Sequence, residues 1–265
     1  MRIRHVQSVI LLAITLTSAT VSATMLDELG RSVVFLVATP NSTQSEFGTG
    51  FFVVHNDVRM LATAAHVARV LSAQSLAVIR AKDGTALQIP IRKLAGTNAM
   101  PKWRFHSTAD LAILILRPEP ALLPQLSERF LPSELLRSEQ SAPPRPLTLT
   151  VLGFPLALGV AGKFSPISRE TKAASDLLTI DRGDTKKGAF FFITQDPSIG
   201  GFSGAPIFDT GLPYSSDEAA MVIRSKKRQI VGVVHGNVED KTRGTLGAVT
   251  PAYLLLDLIR NSGAL

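Results

Sequence analysis

Three short stretches carry side chains suited to nucleophilic and acid–base chemistry. Ile199-Gly200-Gly201-Phe202-Ser203-Gly204-Ala205-Pro206-Ile207-Phe208 sets one serine among three glycines, ahead of an apolar run. Glycine lacks a Cβ and tolerates positive φ and close approach of another chain. A serine in such a turn presents its hydroxyl on one side, while the N–H groups of Gly201 and Ser203 converge on the other. Acyl transfer needs that geometry, a nucleophile beside two donors for an oxyanion. Thr63-Ala64-Ala65-His66-Val67 puts a histidine just after a strand, at the start of a short helix. Asp110-Leu111-Ala112-Ile113-Leu114 puts a carboxylate at the entry to an apolar strand. Singly, each has a plainer reading: a Gly-rich hairpin turn with an incidental serine, a structural histidine, a turn aspartate. Together His66, Asp110 and Ser203 follow one another at separations of 44 and 93 residues. They supply an orienting acid, a base and a nucleophile.

The elements that must hold these residues read mostly as strands. Ser32–Ala38 and Phe47–Val54 are apolar runs separated by a turn over Pro40 to Ser45, and Asn56-Asp57 turns the chain back into Arg59–Thr63. Leu76–Ile79 and Leu87–Ile89 flank Asp83-Gly84, a strong hairpin signal. Leu111–Leu116 is a further buried strand. Seven prolines between residues 117 and 146 remove backbone donors and mark a connector. A second set of strands opens at Leu147–Leu152 and continues through Phe190–Thr194, Ala205–Phe208, Gln229–Val234 and Gly247–Val249. Leu254, Leu255, Leu258 and Ile259 share one helical face after Pro251 and are expected to pack on the second half. The expected architecture is all-β: two β-barrels of similar size and a C-terminal α-helix. The divisions are a signal segment over 1–23, an N-terminal barrel over 24–117, a linker over 118–146 and a C-terminal barrel with its helix over 147–265.

Composition narrows the class. The chain has 265 residues and is 45% hydrophobic, enough for a substantial core. Arg2 and Arg4, the apolar run Val9–Leu16 and the small residues Val21-Ser22-Ala23 form a secretory signal pattern, with cleavage expected after Ala23. The run falls short of the roughly 20 apolar residues of a membrane span, so no stable membrane insertion is expected after signal removal. The absence of cysteine suits a bacterial periplasmic or secreted protein that relies on its core. The net charge is +7, and the only tight basic clusters are Lys186-Lys187 and Lys226-Lys227-Arg228. No stacking aromatics interleave them, so no nucleic-acid partner is expected. His5, His55, His66, His106 and His235 lack ligand spacing, so no metal and no cofactor are expected.

Thr-Ala-Ala-His, Asp-Leu-Ala-Ile-Leu and Gly-Phe-Ser-Gly-Ala-Pro-Ile-Phe together resemble the three active-site blocks of trypsin-like serine endopeptidases, bacterial secreted members in particular. Phe47-Gly48-Thr49-Gly50-Phe51 resembles the strand before the histidine block, and Ile230-Val231-Gly232-Val233-Val234 the strand that lines the substrate cleft. The resemblance spans roughly residues 31 to 260. It implies two six-stranded antiparallel Greek-key barrels with the active site between them. It also implies a His66–Asp110–Ser203 triad acting on protein or peptide substrates through an acyl-enzyme, and an oxyanion hole from the Gly201 and Ser203 amides. Two positions depart from the family pattern. Phe202 stands where an acid or Asn usually precedes the serine, so activation by a new N-terminal amine is not supported. Ala205 stands where glycine is usual. For substrate binding the resemblance points to Pro197 and Ser198, near the base of the specificity pocket, and to His235, which some glutamate-specific members place near an acidic substrate side chain.

Two other readings share these residues. The same double barrel with a disabled site would be a binding or scaffold module. Gly201-x-Ser203-x-Ala205 is also close to an esterase nucleophile elbow, with Asp217 and His235 in the required order; but Pro206 stands where the helix of that elbow should run.

Overall fold

The computed structural model describes residues 25–38, 46–96, 100–211, 228–239 and 244–263. The signal segment, the 40–45 turn, Asp217 and Lys226-Lys227 lie outside the described residues.

The first sheet begins as an antiparallel meander of β1 (Val33–Val37), β2 (Phe47–His55) and β3 (Val58–Thr63). Asn56 and Asp57 close the β2–β3 hairpin, both at positive φ, 46° and 63°. Two left-handed residues make the turn whose twist matches a right-twisted hairpin, and short polar side chains tolerate that conformation. β4 (Leu76–Arg80) returns to pair with β1, giving the spatial order β4-β1-β2-β3 of a Greek key. β5 (Ala86–Pro90) pairs with β4. β6 (Arg104–Phe105) and β7 (Ala112–Ile115) extend the sheet beyond β3, and β8 (Leu131–Pro132) runs parallel to β2.

The second sheet contains β9 (Leu149–Gly153), β10 (Ile167–Thr171), β11 (Leu178–Asp181), β12 (Gly188–Thr194), β13 (Pro206–Asp209), β14 (Gln229–Glu239) and β15 (Thr245–Pro251). Their order is β10-β9-β13-β14-β15-β12-β11, so β12 lies beside the end of the β13–β15 meander, again a Greek-key arrangement. The protein is therefore all-β in two antiparallel layers. The expected count of six strands per closed barrel is corrected: the sheets hold eight and seven strands, and their two end strands do not pair with each other among the described residues. Four strands were not read from the sequence: the two-residue pairings of β6 and β8 and the largely exposed β10 and β11. Of these only β11 alternates, Leu178 and Ile180 with Thr179 and Asp181, and over just four residues.

Helices are short. α1 covers 25–30, α2 Ala65–Val70, α3 Ile91–Ala95, α4 Leu123–Leu126 and α5 Ala252–Asn261. The main core lies between the sheets. Val33, Phe35 and Phe51 of the first meet Leu152, Phe154, Phe208, Ile230 and Val233 from the second half. Each such side chain contributes about 1.5–3 kcal/mol on burial. α5 buries Leu255 and Ile259 in that shared core and packs against β7 as well as β14 and β15, rather than on the second half alone. This packing brings three chain segments to one seam: the start of α2, the residues just before β7, and the turn before β13.

Candidate active site

Asp110 is fully buried just before β7, and four N–H groups converge on its carboxylate. Oδ1 accepts from the backbone N–H of His66 at 3.0 Å and from Nη2 of Arg182 at 3.0 Å. Oδ2 accepts from Nδ1 of His66 and from Nδ1 of His235, each at 2.6 Å. Both donations put a proton on Nδ1, which leaves each neutral imidazole with Nε2 as an acceptor. The two rings meet edge to face, with centroids 5.5 Å apart. Burial pushes the Asp110 carboxyl up. The hydrogen bonds from His235 and His66, and then their charges, outweigh it and hold the group well below the usual carboxylate range.

Arg182, in the turn after β11, is the partner that sequence reading missed. Its side chain is 3% exposed and all five of its N–H donors are used. Nη1 donates to the carbonyls of Thr108 (3.0 Å) and Ala109 (2.8 Å), and Nη2 to Asp110 and to Oδ2 of Asp184 (2.7 Å). Nε donates to Oδ1 of Asp184 at 2.9 Å. Asp184 in turn pairs with Arg69 on α2. A hairpin turn of the second sheet thus clamps the loop that carries Asp110 in the first. In the sequence Arg182 is one charged turn residue among several, and nothing local marks it.

His66, Asp110 and His235 also bring metal-ligand atoms within 4.8 Å of one another. The carboxylate's four acceptor directions are already taken, and a guanidinium lies against it. Those residues fit a hydrogen-bonded network rather than a divalent cation, which would have to displace both Nδ1 protons beside Arg182.

Ser203 lies in the turn before β13. Its Oγ donates to the carbonyl of His235 at 3.1 Å and makes no hydrogen bond to His66. The surrounding loop is held from the first sheet by Thr49, a fully buried residue of β2 that the sequence reading quoted only as part of a motif. The Thr49 N–H donates to the Ser203 carbonyl at 2.8 Å, and its Oγ1 donates to the Gly201 carbonyl at 2.7 Å. Oγ1 also accepts from the Phe154 N–H at 3.2 Å. The Gly200 carbonyl accepts from the Leu156 N–H at 2.8 Å. With both carbonyls tied back, the amides of Gly201 and Ser203 donate to no protein acceptor among the described residues. Gly201 has φ +103°, and a Cβ there would stand 2.3 Å from the Phe154 carbonyl oxygen. At Gly204, φ +84°, a Cβ would stand 2.1 Å from the Thr49 carbonyl oxygen. Both positions therefore require glycine.

Phe202 explains how the loop is anchored without an acid. The ring is 2% exposed and packs with Leu149, Val151, Phe192, Ile207, Val234 and Val249. Ala205 is fully buried in the same cluster, so its methyl group is accommodated.

Pro197 and Ser198 line a narrow cavity of about 30 Å³ walled by Thr194, Phe202, Val234 and Val249. Arg169 donates to the Pro197 carbonyl at 2.8 Å and lies 3.8 Å from Asp196. The Asn237 carboxamide bridges to Ser198, accepting from its N–H at 2.6 Å and donating to its carbonyl at 3.0 Å. His235 is not in that lining; its imidazole is turned to Asp110, with the Phe191 ring 4.8 Å away. A second Ser–His contact, His55 Nδ1 with Ser133 Oγ at 2.8 Å, joins β2 to the segment after β8, and no carboxylate contacts it among the described residues. No helix among the described residues is long and apolar enough to cross a membrane.

No protein-family model and no curated protein matches this sequence. Solved structures do match in three dimensions. The Rv3671c protease from M. tuberculosis in its active form aligns at 19% identity with TM-score 0.54, over 90% of this chain and 83% of its own. A serine endoprotease from Yersinia pestis aligns at 14% identity and TM-score 0.50, over 89% of this chain and 67% of its own. The thermostable serine protease AL20 from an extremophilic microorganism aligns at 11% identity and TM-score 0.53, over 89% and 99%.

Proposed function

The chain has the two-sheet fold of the trypsin-like, chymotrypsin-type serine proteases, and from that premise we propose that it is an exported serine endopeptidase. The observation that carries the reading is the buried carboxylate of Asp110 holding His66 Nδ1 at 2.6 Å, with Ser203 in a loop whose Gly201 and Ser203 amides have no protein acceptor among the described residues. In this reading Ser203 Oγ attacks the carbonyl carbon of a peptide bond and gives its proton to His66 Nε2. Asp110 holds the imidazole with its proton on Nδ1 and stabilises the imidazolium. The developing oxyanion takes hydrogen bonds from Gly201 and Ser203. The carbon–nitrogen bond then breaks, the leaving amine takes the proton from Nε2, and an ester remains on Ser203. Water, activated by the same imidazole, hydrolyses that ester and returns the proton to Oγ. The apolar anchor at Phe202 makes an N-terminal ion pair unnecessary for setting the loop. Export rests on the 1–23 signal pattern, and the division into 24–117, 118–146 and 147–265 remains our reading of the domains.

The test is labelling of the purified chain with a fluorophosphonate, beside Ser203→Ala. The expected outcome is labelling in the wild type only, with peptide hydrolysis lower in the variant by on the order of 10⁶-fold and thermal unfolding unchanged. Hydrolysis at wild-type rate by Ser203→Ala would overturn the reading. One observation favours a second reading, a resting or binding-only module: the Ser203 hydroxyl donates to the His235 carbonyl instead of His66. A folded wild type that is never labelled would select it.

A further inference from the structure

Away from the triad, a second cavity of about 230 Å³ is lined by residues of three chain segments, four of them cationic. Arg31 follows α1, Arg80 and Lys82 stand at the end of β4, and Arg129 follows α4. None of the four takes part in an ion pair among the described residues. Glu128 is the sole acid of the lining and pairs with none of them.

Arg129 is the deepest of the set, 8% exposed. Its guanidinium donates only to backbone carbonyls: Nε to Gln125, Nη2 to Arg80, and Nη1 to Arg31 at 3.3 Å. Three of its five N–H groups are thereby satisfied, and its charge has no counterion among the described residues. Burial pushes the guanidinium down from its ordinary value, and Arg31 and Arg80 push it the same way. A buried, unpaired cation is costly, and an anion offsets that cost. Gln125, also in the lining, buries its side-chain Oε1 without a partner, and turning the amide over puts an N–H donor in the same place. Arginine forks match the oxygens of a phosphoryl group in particular, and lysine adds a point charge.

We propose that this cavity is an anion site that binds a phosphoryl group, carried either by a small phosphate ester or by a lipid headgroup. Four cationic residues and the Gln125 amide line it from three chain segments, and the volume of about 230 Å³ admits one such group with its first substituent. The inference stands apart from the protease reading, since none of these residues touches Asp110, His66 or Ser203.

The test is calorimetric titration of the full chain with inorganic phosphate and pyrophosphate, at fixed ionic strength against chloride. A parallel arm measures sedimentation with phosphatidylglycerol and phosphatidylcholine vesicles. Saturable binding is expected, weakened about tenfold or more in the double variant Arg80→Ser, Lys82→Ser, the loss of one charge-assisted hydrogen bond. That variant changes more accessible side chains and spares the buried Arg129, and its thermal unfolding confirms that it folds. Binding to phosphate in solution assigns the site to a small ester; binding only to phosphatidylglycerol vesicles assigns it to a headgroup. Heats and melting identical in phosphate and chloride with no vesicle binding, or unchanged affinity in the double variant, would overturn the proposal.

Discussion

The imidazole of His235 donates from Nδ1 to Oδ2 of Asp110 at 2.6 Å, the oxygen that also receives His66 at the same distance. One carboxylate oxygen therefore serves a histidine from each half of the chain, His66 on α2 and His235 on β14. Replacing His235 with Ala removes one of four donors from a fully buried carboxylate. The expected loss is about 1–3 kcal/mol in urea denaturation, with the Asp110 carboxyl moving up toward its ordinary range. Unchanged stability would show that His235 does not hold the carboxylate.

Arg182 is the deeper partner of the same group. Arg182→Met leaves Asp110 and Asp184 short of a cation and should cost about 3–5 kcal/mol, the usual effect of breaking a buried pair. Arg182→Lys keeps the charge but loses the fork, and its melting temperature should fall between wild type and Arg182→Met. Equal melting temperatures for the three chains would refute the clamp.

Thr49 couples the first sheet to the loop around Ser203. Thr49→Val removes the donor to the Gly201 carbonyl and the acceptor for the Phe154 N–H, at nearly constant volume. Peptide hydrolysis should drop in kcat by about 10²-fold, near the cost of losing one oxyanion donor, with KM changed little. Thr49→Ser should recover most of the rate, because it restores the hydroxyl. A Thr49→Val enzyme with wild-type kcat would remove Thr49 from the machinery.

Acid should unfold the protein partly through Asp110. Its folded carboxyl lies below the usual range, so the unfolded chain binds the proton more readily. The associated stability is fully present above the unfolded value, about 3.9, and is lost as pH falls from there toward the folded value. Asp184 is shifted in the same direction, with burial opposed by Arg182, and adds to the effect. Denaturation of Asp110→Asn across pH 2–6 should show a shallower acid limb than wild type; parallel curves would exclude Asp110 as a source.

The fold class was legible because its signals are local. Asn56-Asp57 and Asp83-Gly84 announce hairpins, and β1, β2, β7 and β12 are apolar runs bounded by turns. The turn around Ser203 was legible for a steric reason, since the chain passes close enough at Gly201 and Gly204 to forbid a Cβ. β10 and β11 were not, because both are short, largely exposed edge strands with a single partner each and no continuous apolar run. Arg182 stands 72 residues from Asp110, and only the closed tertiary structure brings its guanidinium there. Thr49 looks like any β-branched residue in a strand, since the three hydrogen bonds it makes to the serine loop and to Phe154 come from segments over a hundred residues away. His235 was read from its neighbours along β14, whereas the side chain answers to a carboxylate on the opposite sheet.

α5 comes after both sheets in the chain, yet Leu255 and Ile259 complete the core that the sheets share. A ribosome delivers β7 long before it delivers this helix. At ordinary elongation rates the interval is on the order of ten seconds, during which the core that the sheets share lacks the helix that completes it. The shared core is therefore complete only near the end of synthesis. The reactive groups are split by the same interval, with His66 and Asp110 made before it and Ser203 and His235 within it, so they cannot meet until β14 has been made.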